Sequence, residues 1–150
     1  PVYTDAATDR HRSGGGYFTA DGYYNSWLYG SSMRRRPIVE LEADAVHRAA
    51  CELAPLWEGR RVPVFIDNAA FFFALKKGRS AVPYMDAVIR SLHLLGIQHN
   101  FVLVPEWIPT DSNVFADALS RGEFQQFSKI CNQLSSGDID LYRRCHSRPP

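Results

Sequence analysis

The sequence predicts an α/β domain built on a five-stranded mixed sheet, with helices on both faces. Three β-prone segments joined by turn residues open the chain, which favours antiparallel strands. Helical and strand-like segments then alternate, which favours parallel strands between helices. The composition agrees, because 45% hydrophobic and 22% charged residues are ordinary for one globular domain of 150 residues.

The first three strands are expected close together in the chain. Residues 2–4 form the first, which ends at Asp5, and residues 9–16 are a polar, turn-like stretch with three glycines. Aromatic and β-favouring residues mark two more strands at residues 17–19 and 23–29. The Asp21-Gly22 pair between them is a strong hairpin signal.

Two further strands and four helices follow. Residues 62–66 are nearly all apolar, as in a strand buried on both faces, and residues 101–104 form the fifth strand before a loop at 105–112. An apolar stripe at helical spacing begins at Glu42 and ends near Pro55, which predicts the first helix. Three more helices are expected at residues 69–77, 83–95 and 114–134. Gly78 and Gly96 are the expected stops of the second and third helices.

The domain is expected to span residues 1–134, followed by a tail or linker at 135–150 that is rich in Ser, Gly, Arg and Pro. The chain opens on Pro1 without a signal-like segment and resembles a domain cut from a longer protein. The longest apolar run, residues 69–75, is far short of the roughly 20 residues that cross a membrane. Three widely spaced cysteines without a CxxC pair indicate free thiols, so an intracellular location without membrane attachment is expected.

Charge excludes a generally basic nucleic-acid-coating protein, because 17 Lys and Arg face 16 Asp and Glu. Four acids nevertheless occupy unusual positions. Asp5 and Asp67 end predicted strands, Glu42 starts the apolar stripe of a helix, and Asp117 lies in the first turns of the last helix. Each acid alone could be an ordinary cap or turn residue. Together they would repel one another unless a cation were present, and oxygen ligands favour Mg²⁺ or Mn²⁺.

Four segments of the chain resemble the ribonuclease H domain of retrotransposon reverse transcriptases. The most specific is residues 108–121, IPTDSNVFADALSR, which is similar to the family ending IPG-x-x-N-x-x-AD-x-LSR, with Thr110 in place of glycine. The other three are residues 2–6, 38–46 and 64–68. The resemblance includes retrotransposons of both the LTR and the DIRS-like type, and the Asp67-Asn68 pair and residues 75–80 are most similar to the DIRS-like group.

The resemblance implies an endoribonuclease that hydrolyses the RNA strand of RNA–DNA hybrids and leaves 5′-phosphate ends. It places the catalytic, metal-binding acids at Asp5, Glu42, Asp67 and Asp117, with Glu40 as the rival of Glu42. Two Mg²⁺ ions are implied, for which Mn²⁺ could substitute. By similarity, Asp5 bridges both ions, Asp117 helps to hold the ion at the attacking water, and Glu42 and Asp67 hold the ion at the leaving oxygen.

The implied partners are an RNA–DNA hybrid and an attached or adjacent polymerase domain. The nucleic-acid-binding residues expected here are Asn68, Lys76, Lys77, Arg79 and Asn113. Asn68 could donate to a ribose hydroxyl or simply form a turn, and the basic residues could bind phosphates or serve as helix-end charges.

Other classes remain open. A catalytically inactive module of the same fold could position nucleic acid or bind a protein, although the presence of all four acids argues against it. Exonucleases of this broad fold usually carry Asp-x-Glu on the first strand, where this chain has Asp5-Ala6-Ala7. Integrase-type relatives end with glutamate, where this chain has Asp117. Both are disfavoured.

Overall fold

The computed structural model of the chain describes residues 1–135. Within them, five strands and six α-helices follow in the order β1 (Val2–Thr8), β2 (Ser13–Thr19), β3 (Tyr24–Leu28), α1 (Ser31–Arg34), α2 (Ile38–Leu53), β4 (Arg61–Ile66), α3 (Ala69–Lys77), α4 (Pro83–His99), β5 (Val102–Trp107), α5 (Val114–Ser120) and α6 (Phe124–Ser135). Short 3-10 turns lie at Ala54–Leu56 and Thr110–Ser112.

The five strands form one mixed sheet in the order β3-β2-β1-β4-β5. The first three strands pair antiparallel, whereas β1 pairs parallel with β4 and β4 pairs parallel with β5. This arrangement confirms the predicted sheet. The chain leaves β1 towards one edge and β4 towards the other, so a topological switch point lies between these two strands.

Helices cover both faces of the sheet, as expected. Successive side chains on a strand point to opposite faces, and here Val2 packs with the core formed by α2, α3 and α4. Its neighbour Tyr3 faces the other way, against Ala116 of α5 and Ile108. On that second face, α6 adds Phe127 to a cluster with Phe115. Both layers therefore meet at β1, the central strand.

The β1–β4 ladder is short. Only Val2↔Val64 and Tyr3↔Phe65 are paired, whereas β1 continues to Thr8. Just past the last pair, the carbonyl oxygen of Thr4 accepts a hydrogen bond of 2.9 Å from Nδ2 of Asn113. The two central strands thus separate at the level of Asp5, which opens a gap at the switch point.

Three strands are longer than predicted. β1 runs on to Thr8, so Asp5 lies inside a strand rather than at its end. The prediction of a turn over residues 9–16 was wrong for its second half, because Gly14, Gly15 and Gly16 belong to β2. The fifth strand likewise continues to Trp107 in place of part of the expected loop. The ends of these strands are set by pairing with a neighbouring strand. The turn-forming residues in the sequence do not predict that pairing.

Two of the predicted helices also differ. α4 passes Gly96 and ends at His99, with Asn100 in the left-handed conformation at φ 54° as its cap. The expected helix at 114–134 is two helices, α5 and α6, because the chain turns at Gly122 with φ +70°. α3, in contrast, has the predicted bounds, since Asn68 caps its start and Gly78 its end.

α6 ends at Ser135, one residue into the predicted tail, and residues 136–150 lie outside the described part of the chain. Within residues 1–135, no helix combines the length and apolar character that a membrane crossing requires.

Glycine in β2 allows α5 to lie directly on the sheet. A Cβ at Gly16 would stand 2.6 Å from Cβ of Leu119 and 3.0 Å from the backbone nitrogen of Ser120. We therefore expect Gly16→Ala to lower the free energy of unfolding by about 1–3 kcal/mol, because the added methyl must displace a packed helix. Urea unfolding followed by circular dichroism measures this change.

The matched control is Gly30→Ala, since Gly30 has φ −70° and no atom lies within 4 Å of its added Cβ. This variant should be as stable as the parent or slightly more stable. Equal stability of the Gly16 and Gly30 variants would contradict the close approach of α5.

Candidate active site

Three carboxylates meet at the gap between β1 and β4. Asp5 comes from β1, Glu42 from the buried face of α2, and Asp67 directly follows β4. One oxygen of each lies within 4.8 Å of the others. We call these residues the three-acid cluster. It forms because the carboxyl ends of two parallel strands open at a switch point, where α2 crosses the sheet.

Glu42, and not its rival Glu40, belongs to the cluster. Glu42 is 5% exposed on the face of α2 that packs on the sheet. The carboxylate of Glu40 instead accepts a hydrogen bond from Nη1 of Arg36 at 2.9 Å. Since residues two positions apart do not share a helix face, only one of the two acids can reach the gap.

Asp117, the fourth predicted acid, lies beside the cluster but is not part of it. It sits in the first turn of α5, and its Oδ1 accepts a hydrogen bond from Nε of Arg121 at 2.8 Å. Its negative charge still contributes to raising the pKa of both Asp5 and Asp67. The structure therefore brings three of the acids into contact and places the fourth at the rim.

Burial and mutual repulsion dominate the electrostatics of the cluster. Burial, followed by the charge of Asp67, raises the pKa of Asp5 to about 7. Burial and the charges of Asp5 and Asp67 raise the pKa of Glu42 well above its usual value. Burial is also the main reason why the pKa of Asp67 is raised. Without a cation, the folded protein therefore holds protons at this site that the unfolded chain has released.

Ser120 fixes the orientation of Asp5, a role that the sequence reasoning missed. Its side chain is fully buried, and its hydroxyl donates to Oδ2 of Asp5. Oγ of Ser120 also lies 2.9 Å from the carbonyl oxygen of Asp117. The only sequence signal was the position of Ser120 in the Leu119-Ser120-Arg121 ending of the matched motif.

The cluster has the properties of a divalent-cation site. All its donors are oxygens, which hard cations such as Mg²⁺ and Mn²⁺ prefer. Oε2 of Glu42 is buried and, within the described residues, has no hydrogen-bond partner. A buried polar oxygen without a partner is costly, and a bound cation would satisfy it. The residues present therefore fit the metal that the resemblance implies.

The two asparagines predicted to bind nucleic acid have structural roles here. Oδ1 of Asn68 accepts a hydrogen bond of 3.0 Å from the backbone N–H of Phe71 and so caps α3. Asn113 is only 1% exposed, and its amide holds the carbonyl of Thr4. Its burial leaves almost no surface for a nucleic acid, and its contact supports the strand that carries Asp5.

The predicted basic residues form an exposed group at the far end of α3. Lys76 and Lys77 occupy the last turn of the helix, and Arg79 follows its cap. α3 starts beside Asp67 and is nine residues long, so its first and last residues lie roughly 12 Å apart along the helix axis and the basic group stands well away from the cluster. Lys77 and Arg79 line a groove of about 490 Å³ together with Phe73, which is 64% exposed. We call this surface the α3 groove.

The raised pKa values predict how stability depends on pH. Without metal, the cluster stabilises the fold most at low pH, and this contribution is lost as pH rises through the folded pKa of about 7 for Asp5. Removing one charge should relieve the repulsion at pH 8. We expect Glu42→Gln to raise the metal-free free energy of unfolding by about 1–3 kcal/mol at pH 8 and by much less at pH 5.

Urea unfolding of parent and variant at both pH values measures this difference. Comparing the two chains cancels the other titrating groups, such as His47, whose pKa burial lowers. Glu58→Gln is the matched control, because Glu58 is exposed, and it should leave the pH profile unchanged. A Glu42→Gln variant less stable than the parent at pH 8 would show that the charges do not repel as described.

Comparison with known proteins gives matches in structure alone. No protein-family model and no curated protein matches the chain. RNase H1 from the halophilic archaeon Halobacterium salinarum superposes with a TM-score of 0.63 at 18% identity, over 79% of this chain and 91% of that one. LC11-RNase H1, solved in complex with an RNA/DNA hybrid, gives 0.63 at 19% identity, again over 79% and 91%.

A viral structure shares the same architecture. The foamy viral protease-reverse transcriptase in complex with an RNA/DNA hybrid superposes with a TM-score of 0.59 at 16% identity, over 81% of this chain and 19% of that one. Identities this low establish architecture only. The chain has an RNase H-like fold.

Proposed function

We propose that this chain is a metal-dependent ribonuclease H that hydrolyses the RNA strand of RNA–DNA hybrids. The observation that carries the proposal is the three-acid cluster, whose oxygens lie within 4.8 Å of one another at the switch point of an RNase H-like sheet. Its buried, partnerless Glu42 oxygen and the raised pKa of each member are costs that a bound cation would offset.

Asp5, Glu42, Asp67 and Asp117 are the proposed catalytic, metal-binding residues, and Mg²⁺ is the proposed metal. Two divalent cations bound there would polarise the scissile phosphate and make the attacking water easier to deprotonate. The chain itself supplies the carboxylates in fixed positions. Ser120 orients Asp5, and Asn113 holds the strand from which Asp5 projects.

The α3 groove is the proposed contact for a strand of the hybrid. Lys77 and Arg79 offer charges for phosphates, and the exposed ring of Phe73 offers an apolar face beside them. The groove runs along α3 from Ala70, and its basic end with Lys77 and Arg79 lies at the opposite end of the helix from Asp67, so a duplex that spans both would contact the protein at two points. Two contacts on one rigid helix would fix the orientation of the hybrid across the cluster.

We also propose that the chain works beside a reverse transcriptase polymerase domain in a retroelement, in an intracellular location. The support is the resemblance of residues 108–121 to the retrotransposon motif, together with the structural likeness to a protease-reverse transcriptase solved with an RNA/DNA hybrid. The net charge of this chain is only +1, so its general electrostatic attraction for nucleic acid is weak. A neighbouring polymerase domain would supply further contacts to the hybrid.

Cleavage of a labelled RNA–DNA hybrid in Mg²⁺ or Mn²⁺ tests the proposal directly. We expect the RNA strand alone to be cut, with 5′-phosphate ends. Asp67→Asn should reduce the rate by roughly three orders of magnitude or more, because it removes a carboxylate that would hold the cation, and the cation would stabilise the negative charge of the transition state. Gel analysis of both strands, each labelled separately, gives the rate and the strand choice.

Asp21→Asn is the matched control. It makes the same chemical change in an exposed hairpin turn, where Asn-Gly serves as well as Asp-Gly, and it should leave the rate unchanged. An inactive parent chain, with either metal and also when joined to its polymerase, would favour the alternative of a non-catalytic module that positions nucleic acid or binds a protein.

The proposed role of the α3 groove leads to a separate prediction about binding of the RNA–DNA hybrid. Replacing Lys77 and Arg79 by glutamine should weaken binding of the hybrid uniformly across sequences and reduce the slope of log K against log salt by about 1 to 2. Fluorescence anisotropy at several salt concentrations, with Asp67→Asn as background to prevent cleavage, measures this slope.

Lys129→Gln is the control, because this exposed lysine lies on α6, a helix of the opposite layer. Equal salt slopes for the groove variant and the Lys129 variant would place the hybrid elsewhere on the protein.

A further inference from the structure

The rim acid Asp117 is held by a cation one helical turn away. Its Oδ1 lies 2.8 Å from Nε of Arg121, and the two side chains are 32% and 52% exposed. Among residues 1–135, no lysine or arginine forms an ion pair with a member of the three-acid cluster. Asp117 is thus distinguished from the other proposed metal ligands by having a cationic partner already.

This partner occupies an oxygen that a metal ion would use. Arg121 is charged at every accessible pH, and its Nε–H donates along a defined direction. A carboxylate oxygen engaged in this way presents less of its charge to another cation. An exposed ion pair between residues four apart is also weak, so a divalent cation can displace the guanidinium at small cost.

The neighbouring residue connects this ion pair to the cluster. Ser120 donates to Oδ2 of Asp5 and also touches the carbonyl oxygen of Asp117, while Arg121 follows it directly on the chain. The charge of Arg121 also lowers the pKa of Asp5. One short stretch at the end of α5 thus contacts Asp5 through a hydroxyl and Asp117 through a guanidinium.

We propose that Arg121 is a positioning residue that holds Asp117 at the rim of the cluster in the metal-free protein and releases it when a divalent cation binds. Arg121 then compensates the charge of Asp117 until the metal arrives, and the exchange sets the metal affinity of the site. This inference rests on the proposed function, since it takes Asp117 as a ligand of the metal.

Titration of the whole chain with Mn²⁺, without nucleic acid, tests the exchange, and electron paramagnetic resonance reports the free Mn²⁺. We expect Arg121→Gln to tighten the apparent Mn²⁺ affinity roughly two- to fivefold, because the metal no longer has to displace an exposed ion pair or a nearby positive charge. Arg121→Lys keeps the charge and should fall between the parent and the glutamine variant.

A double-mutant cycle locates the effect at Asp117. In an Asp117→Asn background, Arg121→Gln should change the Mn²⁺ affinity much less than in the parent, because only the effect of the nearby positive charge remains. Arg90→Gln is the matched control, because Arg90 forms the same kind of ion pair, with Asp86 at 2.9 Å, on the other layer of the protein. It should leave the Mn²⁺ affinity unchanged.

Thermal unfolding supplies a readout that needs no activity. At pH 8 without metal, Arg121→Gln should lower the midpoint, since the charge of Asp117 loses its partner, and saturating Mn²⁺ should remove the difference. A lowered midpoint that persists in Mn²⁺ would mean that Arg121 is merely structural and would overturn the inference.

The outcomes also separate this inference from the proposed function. A parent chain that cleaves the hybrid, with equal Mn²⁺ affinity in the Arg121→Gln and Arg90→Gln variants, would overturn the exchange and leave the ribonuclease proposal standing. A parent chain that neither binds Mn²⁺ nor cleaves the hybrid would overturn both.

Discussion

Electrostatic repulsion among buried carboxylates is the constraint around which this structure is organised. The sheet brings Asp5 and Asp67 together where β1 and β4 separate, and α2 adds Glu42 from above. Burial removes the water that would screen these charges, so Asp67 raises the pKa of Asp5, and Asp5 and Asp67 together raise the pKa of Glu42. The fold accepts this cost at the gap between β1 and β4 and places an apolar layer on each side of the sheet, and these layers contribute the opposing stability.

Three residues around the acids each support a different part of the site. Ser120 donates to Asp5, Asn113 holds the backbone of β1, and Arg121 balances the charge of Asp117. All three belong to the motif that ends at α5, so one short segment packs against the sheet and also orients two acids. This explains physically why the motif contains polar residues among apolar ones on a helix that is mostly buried.

The sequence predicted those elements whose ends are set by residues close by in the chain. α3 has its predicted bounds because Asn68 and Gly78 supply both caps within the sequence itself. Elements and side-chain positions that depend on tertiary contacts were not predicted from the sequence. Gly16 has the composition of a turn, yet it lies in a strand paired with Asp5 and Ser26, and its missing side chain leaves room for α5. Helix periodicity was enough to choose Glu42 over Glu40, which pairs with Arg36 instead. The ion pair that holds Asp117 at the rim depends on the placement of side chains, which the sequence pattern does not predict.

The antiparallel pairing of Asp5 with Gly16 ties the site to the register of the first hairpin. Side chains alternate between the faces of a strand, so a slip of one residue would turn Asp5 away from α5 and bring a threonine or an alanine into its place. A slip of β2 in one direction would set Tyr17 beneath α5, where the space at Gly16 fits only glycine. The close contact between helix and sheet therefore acts as a check on register, because a hairpin shifted in that direction cannot close its second layer over the site.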